Sequence, residues 1–190
     1  MPDYSRLDSA GPTDTDHVRG DPDAAVTLLE FGDYECPYCA AAAPVLRRLV
    51  EGSDGGVRLV FRNYPVPDVH AYALTAALAA EASAPHGVFW AMHDLLFTHQ
   101  SRLTDADLRS YADSLGIDGA QVVGDAAQPF GDKVEADFAS GVELGVGGTP
   151  WLLVDGEVYQ GRLDLADLQR AIGTSTRPSR FVPRTRRQAR

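Results

Sequence analysis

Ala25-Val26-Thr27-Leu28-Leu29-Glu30-Phe31-Gly32-Asp33-Tyr34-Glu35-Cys36-Pro37-Tyr38-Cys39 is the stretch on which the fold turns. Residues 25–31 are apolar apart from Thr27 and Glu30, which predicts a short strand covered on both faces, as in a parallel sheet. Residues 40–50 carry an apolar stripe that includes Val45 and Leu49, with Arg47 and Arg48 outward, which predicts a helix. Between these two runs stand the only two cysteines of the 190 residues, three positions apart. A C-x-x-C at a strand-to-helix junction reads as a thiol–disulfide exchange site.

The helix end supplies the chemistry. Its first backbone N–H groups lack partners and its dipole places partial positive charge there. A thiolate at that point is stabilised, so Cys36 is the expected nucleophile. Pro37 fits the first helical position, where no N–H is needed. Cys39 lies one turn on and is the expected resolving thiol. A structural staple is the weaker reading, because so small a loop yields only about 2 kcal/mol of chain-entropy stabilisation. Half of a zinc site is weaker too: four ligands are the norm, and His17, His70, His86, His93 and His99 show no ligand spacing relative to the pair. No histidine is assigned a catalytic role.

Working outward, residues 1–23 are rich in Asp, Gly, Pro and Thr and read as a flexible arm ending in a turn at Asp21-Pro22-Asp23. Pro44 is expected to kink the helix, which ends near Gly52. Residues 57–62 alternate and predict a second strand, parallel to the first through a right-handed βαβ unit. Tyr64-Pro65-Val66-Pro67 is a rigid loop. Residues 69–144 then read as a helical insertion: 70–82 alanine-rich, 87–100 largely buried, a helix capped by Thr104 and stopped at Gly116, a weaker helix over 120–128, and another marked by Phe130, Val134, Phe138 and Val142. Its Met, Trp and Phe residues read as core. A glycine-rich loop over 145–150 leads to a strand at 151–154, a hairpin turn at Asp155-Gly156, a return strand over 157–160, and a closing helix over 163–172 with Gly173 as its stop. The layout is α/β, a βαβ half and a ββα half around the insertion, with the domain over 24–173 and a basic flexible tail over 174–190.

Glu30 is a carboxylate in a strand expected to be buried, six residues before Cys36. Two readings stand side by side. It reaches water at the strand end, or it is poorly solvated, has a raised pKa and exchanges a proton with Cys39.

The formal charge of −10 is unevenly spread: the last 17 residues hold six arginines and no acid, so the remainder carries −16. An acidic body argues against nucleic acid as its partner. Residues 1–20 have no apolar central run like that of a secretory signal, and no stretch approaches a membrane span. The expected compartment is the cytoplasm, where a disulfide is transient and catalytic.

The segment Phe31 to Cys39, the helical insertion, and Gly147-Gly148-Thr149-Pro150 together resemble the DsbA-type thiol–disulfide oxidoreductases of the thioredoxin-like superfamily. The resemblance covers about residues 15 to 173 and extends to the thioredoxin-like domains attached to some bacterial sodium/proton antiporters. It implies a thioredoxin-like fold, and exchange of the Cys36–Cys39 pair with protein thiols or disulfides through a mixed disulfide on Cys36. It also implies that Pro150 is a cis-proline facing the cysteines, that Thr149, Pro150, Pro37 and Tyr38 contact substrate, and that Glu30 is the family's buried acid. No metal or organic cofactor is implied; the partners are protein substrates and an electron donor or acceptor, met by a monomer. A redox-sensing module acting on one partner is the alternative. A glutathione-transferase-like relative fits less well, since conjugation needs no resolving sulfur. Asp33 and Glu35 depart from a simple picture, because a carboxylate aimed at the Cys36 sulfur opposes thiolate formation.

Overall fold

The computed structural model describes residues 11–175. The first cysteine-bearing unit is strand β2 (Val26–Gly32), helix α1 (Pro37–Glu51) and strand β3 (Val57–Asn63), with β2 and β3 parallel in register from Val26↔Val57 to Gly32↔Asn63. Strand β4 (Trp151–Val154) runs antiparallel on the other side of β2, and β5 (Glu157–Val158) folds back on β4. The turn between them holds Asp155 and Gly156 at φ of 48° and 84°. Two positive φ values at adjacent positions match the twist of a two-residue hairpin. The Asp155 carboxylate accepts from Thr27 N at 2.8 Å, which ties the hairpin to β2.

Successive side chains on β2 face opposite layers. Val26 and Leu28 pack with Leu46 and Leu49 of α1 and with Leu168 of the last helix, α6 (Leu165–Ser175). Leu29 and Phe31 pack on the other side with Val60, Tyr64 and Val146. Glu30 shares the face of Val26 and Leu28, under α1. The insertion contributes α2 (Ala73–Ser83), α3 (Phe89–Thr98), α4 (Asp105–Ser114) and α5 (Gly131–Glu143). Its core joins Met92, Leu96, Phe97 and Leu108 to Tyr34, Cys36, Cys39 and Phe61, so the cysteines sit where the insertion meets the sheet. Thr104 caps α4 through a reciprocal pair with Asp107, and Gly116 follows at φ 80°.

Several expectations are corrected. Within the arm, His17–Arg19 forms an edge strand, β1, antiparallel to β3, giving the order β1-β3-β2-β4-β5. Side chains explain its capture: His17 Nε2 lies 2.8 Å from Glu81 of α2, its ring stacks on Phe89 at 3.5 Å, and Asp16 bonds Arg62 at 2.8 Å. Strand β3 does not alternate: Leu59 to Asn63 are all buried, because α1 packs against it and so does α5. Its last two residues are bonded inside, Arg62 to Asp16, and Asn63 Nδ2 to Glu81 at 2.6 Å and Asp137 at 3.1 Å, while Asn63 Oδ1 has no protein partner among the described residues.

Residues 120–128 are not one helix. They are divided among three short 3-10 turns, Gly119–Val122, Gly124–Ala126 and Gln128–Phe130, separated at Val123, whose backbone is extended (φ −137°, ψ 163°), and at Ala127. The return strand shrinks to two residues. Helix α6 continues past Gly173 to Ser175, and α1 runs through Pro44, which removes a hydrogen bond without ending the helix. The rest of the basic tail lies outside the described residues. Phe138 and Val142 are exposed at 37% and 56%, so the apolar pattern of α5 is only partly a core pattern.

Gly141 lets α5 approach the sheet. A Cβ there would lie 2.7 Å from the Tyr64 ring and 3.1 Å from Phe31. Gly141→Ala is expected to lower stability by about 1–3 kcal/mol in urea unfolding, despite alanine's preference for helix.

Candidate active site

Cys36 is the N-cap of α1, with extended backbone (φ −74°, ψ 120°), and Pro37 opens the helix. This placement follows from residue types: the chain leaves β2 through a turn closed by Cys36 N to Asp33 O at 3.1 Å, and proline at the first helical position needs no donor. Cys36 is 4% exposed and Cys39 fully buried, and both are free thiols. The Cys36 thiol donates to the Thr149 carbonyl at 3.3 Å, across a Thr149–Pro150 peptide that is cis. Two segments 113 residues apart therefore meet at one sulfur.

The Cys36 thiolate is strongly favoured. The Cys39 thiol donates to it, the Thr149 side chain adds a second bond, and the backbone N–H groups of Cys39 and Tyr38 point at it. Against the opposing effect of burial, these donors bring its pKa down to about 5. Cys39 is pushed far the other way by burial, by its bond to the Cys36 sulfur and by the nearby Glu30 charge. The two sulfurs thus divide the roles of thiolate and thiol.

Glu30 is fully buried and neither carboxyl oxygen has a protein partner. Burial, then the charge of Cys36, raise its pKa to about 8. Of the two readings open in the sequence, the geometry excludes the solvated strand end.

Asp33 and Glu35 are occupied elsewhere. Asp33 Oδ1 accepts from Glu35 N at 2.8 Å, and Oδ2 accepts from Val66 N at 2.9 Å and meets His70 Nδ1 at 2.9 Å. Glu35 accepts from Tyr72 N at 2.6 Å. Both carboxylates fasten the cysteine turn to the loop that precedes α2. Tyr38 is 73% exposed and Pro37 is also exposed, forming an open rim beside Thr149 and Pro150, which are half-buried.

Two residues that sequence reasoning passed over stand at the site. His70 is one, bonded to Asp33. Gln100 is the other: just beyond α3, its amide donates to Tyr34 O at 2.9 Å and Cys36 O at 2.8 Å. No local pattern marks a contact 64 residues away. Gln100→Ala is expected to cost about 1–2 kcal/mol in urea unfolding of either redox form. That is the lower part of the range for a buried group losing a partner, because Cys36 O keeps Ala40 N–H at 3.1 Å.

Among the described residues no helix is long and apolar enough to cross a membrane. A family model described as thioredoxin matches residues 12–174. A thioredoxin-like oxidoreductase from Silicibacter pomeroyi DSS-3 superposes with a TM-score of 0.76 at 29% identity, covering 88% of this chain and 96% of that one. BdbD from Bacillus subtilis, in its oxidised form, gives 0.73 at 26% identity, covering 83% and 91%. Among curated relatives, the Na(+)/H(+) antiporter NhaA 1 of Salinispora arenicola is 41% identical over 92% of this chain and 27% of its own length. NhaA 3 of Salinispora tropica is 40% identical over 90% and 26%. The chain spans about a quarter of the length of these relatives.

Proposed function

The chain belongs to the thioredoxin family, and from that premise we propose that it is a thiol–disulfide oxidoreductase acting on protein thiols through a mixed disulfide on Cys36. One observation carries the reading: the Cys36 sulfur sits at a helix start, bonded by Cys39 and by Thr149 of the cis peptide.

In the oxidising direction, a substrate thiolate attacks Cys36 of the Cys36–Cys39 disulfide. The S–S bond breaks and its electron pair leaves on Cys39, which takes a proton from Glu30. A second substrate thiolate then attacks the substrate sulfur of the mixed disulfide. Cys36 leaves as thiolate and the substrate disulfide is formed. A low-pKa thiol is the better leaving group, which favours this exit over return through Cys39. Glu30 is matched to its part by coupling. Cys36 carries no charge in the disulfide or the mixed disulfide, so Glu30 holds its proton less tightly there and gives it to Cys39; the thiolate that Cys36 becomes on leaving raises the proton affinity of Glu30, and the carboxyl takes a proton back. Thr149 and Pro150 hold the substrate backbone beside the sulfur, and Pro37 and Tyr38 form the opposite rim.

The working unit is residues 24–173 extended by β1, acting as a monomer without metal or organic cofactor. A cytoplasmic site is part of the proposal, supported by the sparse cysteine usage, two in 190. There the glutathione pool favours the dithiol of an oxidising couple, so turnover requires an electron acceptor.

The antiporter relatives favour a second reading, a redox-sensing module whose pair acts on one membrane-associated partner. Trapping separates the two. Cys39→Ser is expected to accumulate mixed disulfides on Cys36 with many proteins, visible as dithiothreitol-sensitive bands. One repeated partner selects the sensor, and no adduct contradicts both.

A further inference from the structure

We propose that His70 is a positioning residue that carries a proton in the reduced state and there stabilises the Cys36 thiolate, coupling one further proton to the redox reaction. This rests on the oxidoreductase reading above and assigns its electrostatic control.

Asp33 is the hub of the cysteine turn. Its carbonyl accepts from Cys36 N at 3.1 Å and its own N–H approaches Cys39 Sγ at 3.5 Å. Its carboxylate is fully buried and bonds Glu35 N, Val66 N and His70 Nδ1. Through this one residue the imidazole is tied to the turn that carries both sulfurs, while its side chain keeps 21% exposure, enough to exchange protons with solvent. The two backbone bonds orient the carboxylate, so a neutral ring donating from Nδ1 and an imidazolium both fit the contact, and the site accepts either state of His70 without rearrangement.

The charged groups acting on the ring are Asp33, which it touches, and Cys36 and Glu35 nearby; Asp68 lies on its own loop, and α2 presents no charge before Glu81. Burial works against the imidazolium, but the bond and charge of Asp33, with the charges of Cys36 and Glu35, outweigh it and hold His70 above its usual range. Of these only Cys36 changes with redox state. As a thiolate it adds an anion beside His70; in the disulfide that anion is gone. His70 therefore binds its proton more tightly in the reduced protein. The reaction then balances fully: a substrate dithiol gives two electrons to the disulfide and two protons, one to Cys39 and one to His70, leaving the Cys36 thiolate and a substrate disulfide.

The test is NMR titration of the His70 imidazole in oxidised and reduced protein, with the glutathione equilibrium measured across the same pH range. A higher His70 pKa in the reduced form is expected. Between the two values the equilibrium constant gains a further dependence on pH of up to about tenfold per unit, or about 30 mV for two electrons. His70→Gln should remove that extra dependence and cost roughly three- to tenfold in thiolate stabilisation, read at 240 nm. His70→Lys should restore the thiolate but not the pH dependence. Equal imidazole pKa values in the two states overturn the inference without need of a variant. So does a His70→Gln protein with unchanged thiolate and slope. If the pair exchanges with glutathione but shows either result, only this inference fails; if no exchange occurs, the oxidoreductase reading fails with it.

Discussion

Cys36→Ser is expected to bring dithiol oxidation and insulin-disulfide reduction down to the uncatalysed background, while leaving the fold intact. Both reactions pass through one sulfur. Cys39 cannot take over, since it is fully buried and its thiolate is disfavoured by burial and by Glu30. A serine at position 36 keeps the N-cap, because its hydroxyl accepts helix N–H bonds at least as well as a thiol. Loss of activity with retained urea stability therefore assigns the effect to the sulfur. Residual exchange above about 1% of wild type would place the chemistry elsewhere.

Glu30→Gln is expected to change how stability varies with pH more than any other single substitution. The folded pKa of Glu30, about 8 against an ordinary value of 4.5, means the native state holds a proton that the unfolded chain releases. A raised carboxyl costs stability as pH rises from 4.5 to 8, on the order of 4 kcal/mol across that window. The sign for Cys36 is opposite. Its pKa falls from 9.0 to about 5, so the reduced protein gains stability over that range, by at most about 1.4 kcal/mol per pH unit. In the reduced wild type these two slopes oppose each other between pH 5 and 8. Glu30→Gln removes the carboxyl slope, so reduced stability should climb with pH more steeply than in the wild type, measured by urea midpoints at three or more pH values. A pH profile no steeper than that of the wild type contradicts the assignment of Glu30 as a buried, protonated acid. The same substitution should slow the redox reaction by roughly 10²-fold or more, because Cys39 loses its proton donor and acceptor.

Much of the fold was legible because its signals are local. The apolar run before Cys36, the Pro37 start, the Thr104 cap and the Asp155-Gly156 turn each depend on a few adjacent residues, and each stands where it was read. The failures share a physical cause. His17–Arg19 is three residues long, too short to show a period, and is held by an ion pair and a ring stack to the insertion. Residues 57–62 read as alternating because Arg58 and Arg62 are charged, yet Asp16 meets Arg62 inside. Phe138 and Val142 follow a helical period but have too little core to face. Phe138 stacks on Tyr64 at 4.5 Å and borders a groove with Pro65, Pro67, Leu74 and Leu78. At the site, the two sulfurs were legible as a C-x-x-C before a helix and Glu30 as a carboxylate in a strand expected to be buried, whereas the Thr149-Pro150 pair was legible only through the family resemblance. What was hidden is direction. Asp33 and Glu35 read as charges near the nucleophile, whereas their oxygens are turned to backbone N–H groups and to His70. Carboxylates so engaged leave the thiolate to its donors, and the departure that the sequence raised against an oxidising pair loses its force.

Equilibrating the Cys36–Cys39 couple with glutathione buffers tests the central claim most directly. Potentials rise as the nucleophile's pKa falls, from about −270 mV for thioredoxin, with a thiol near 7, to about −120 mV for DsbA, with one near 3.5. A Cys36 pKa of about 5 places this couple between those limits, more oxidising than thioredoxin. A potential in that interval is the expected result. A value at or below about −270 mV, or a pair that does not exchange with glutathione at all, contradicts it.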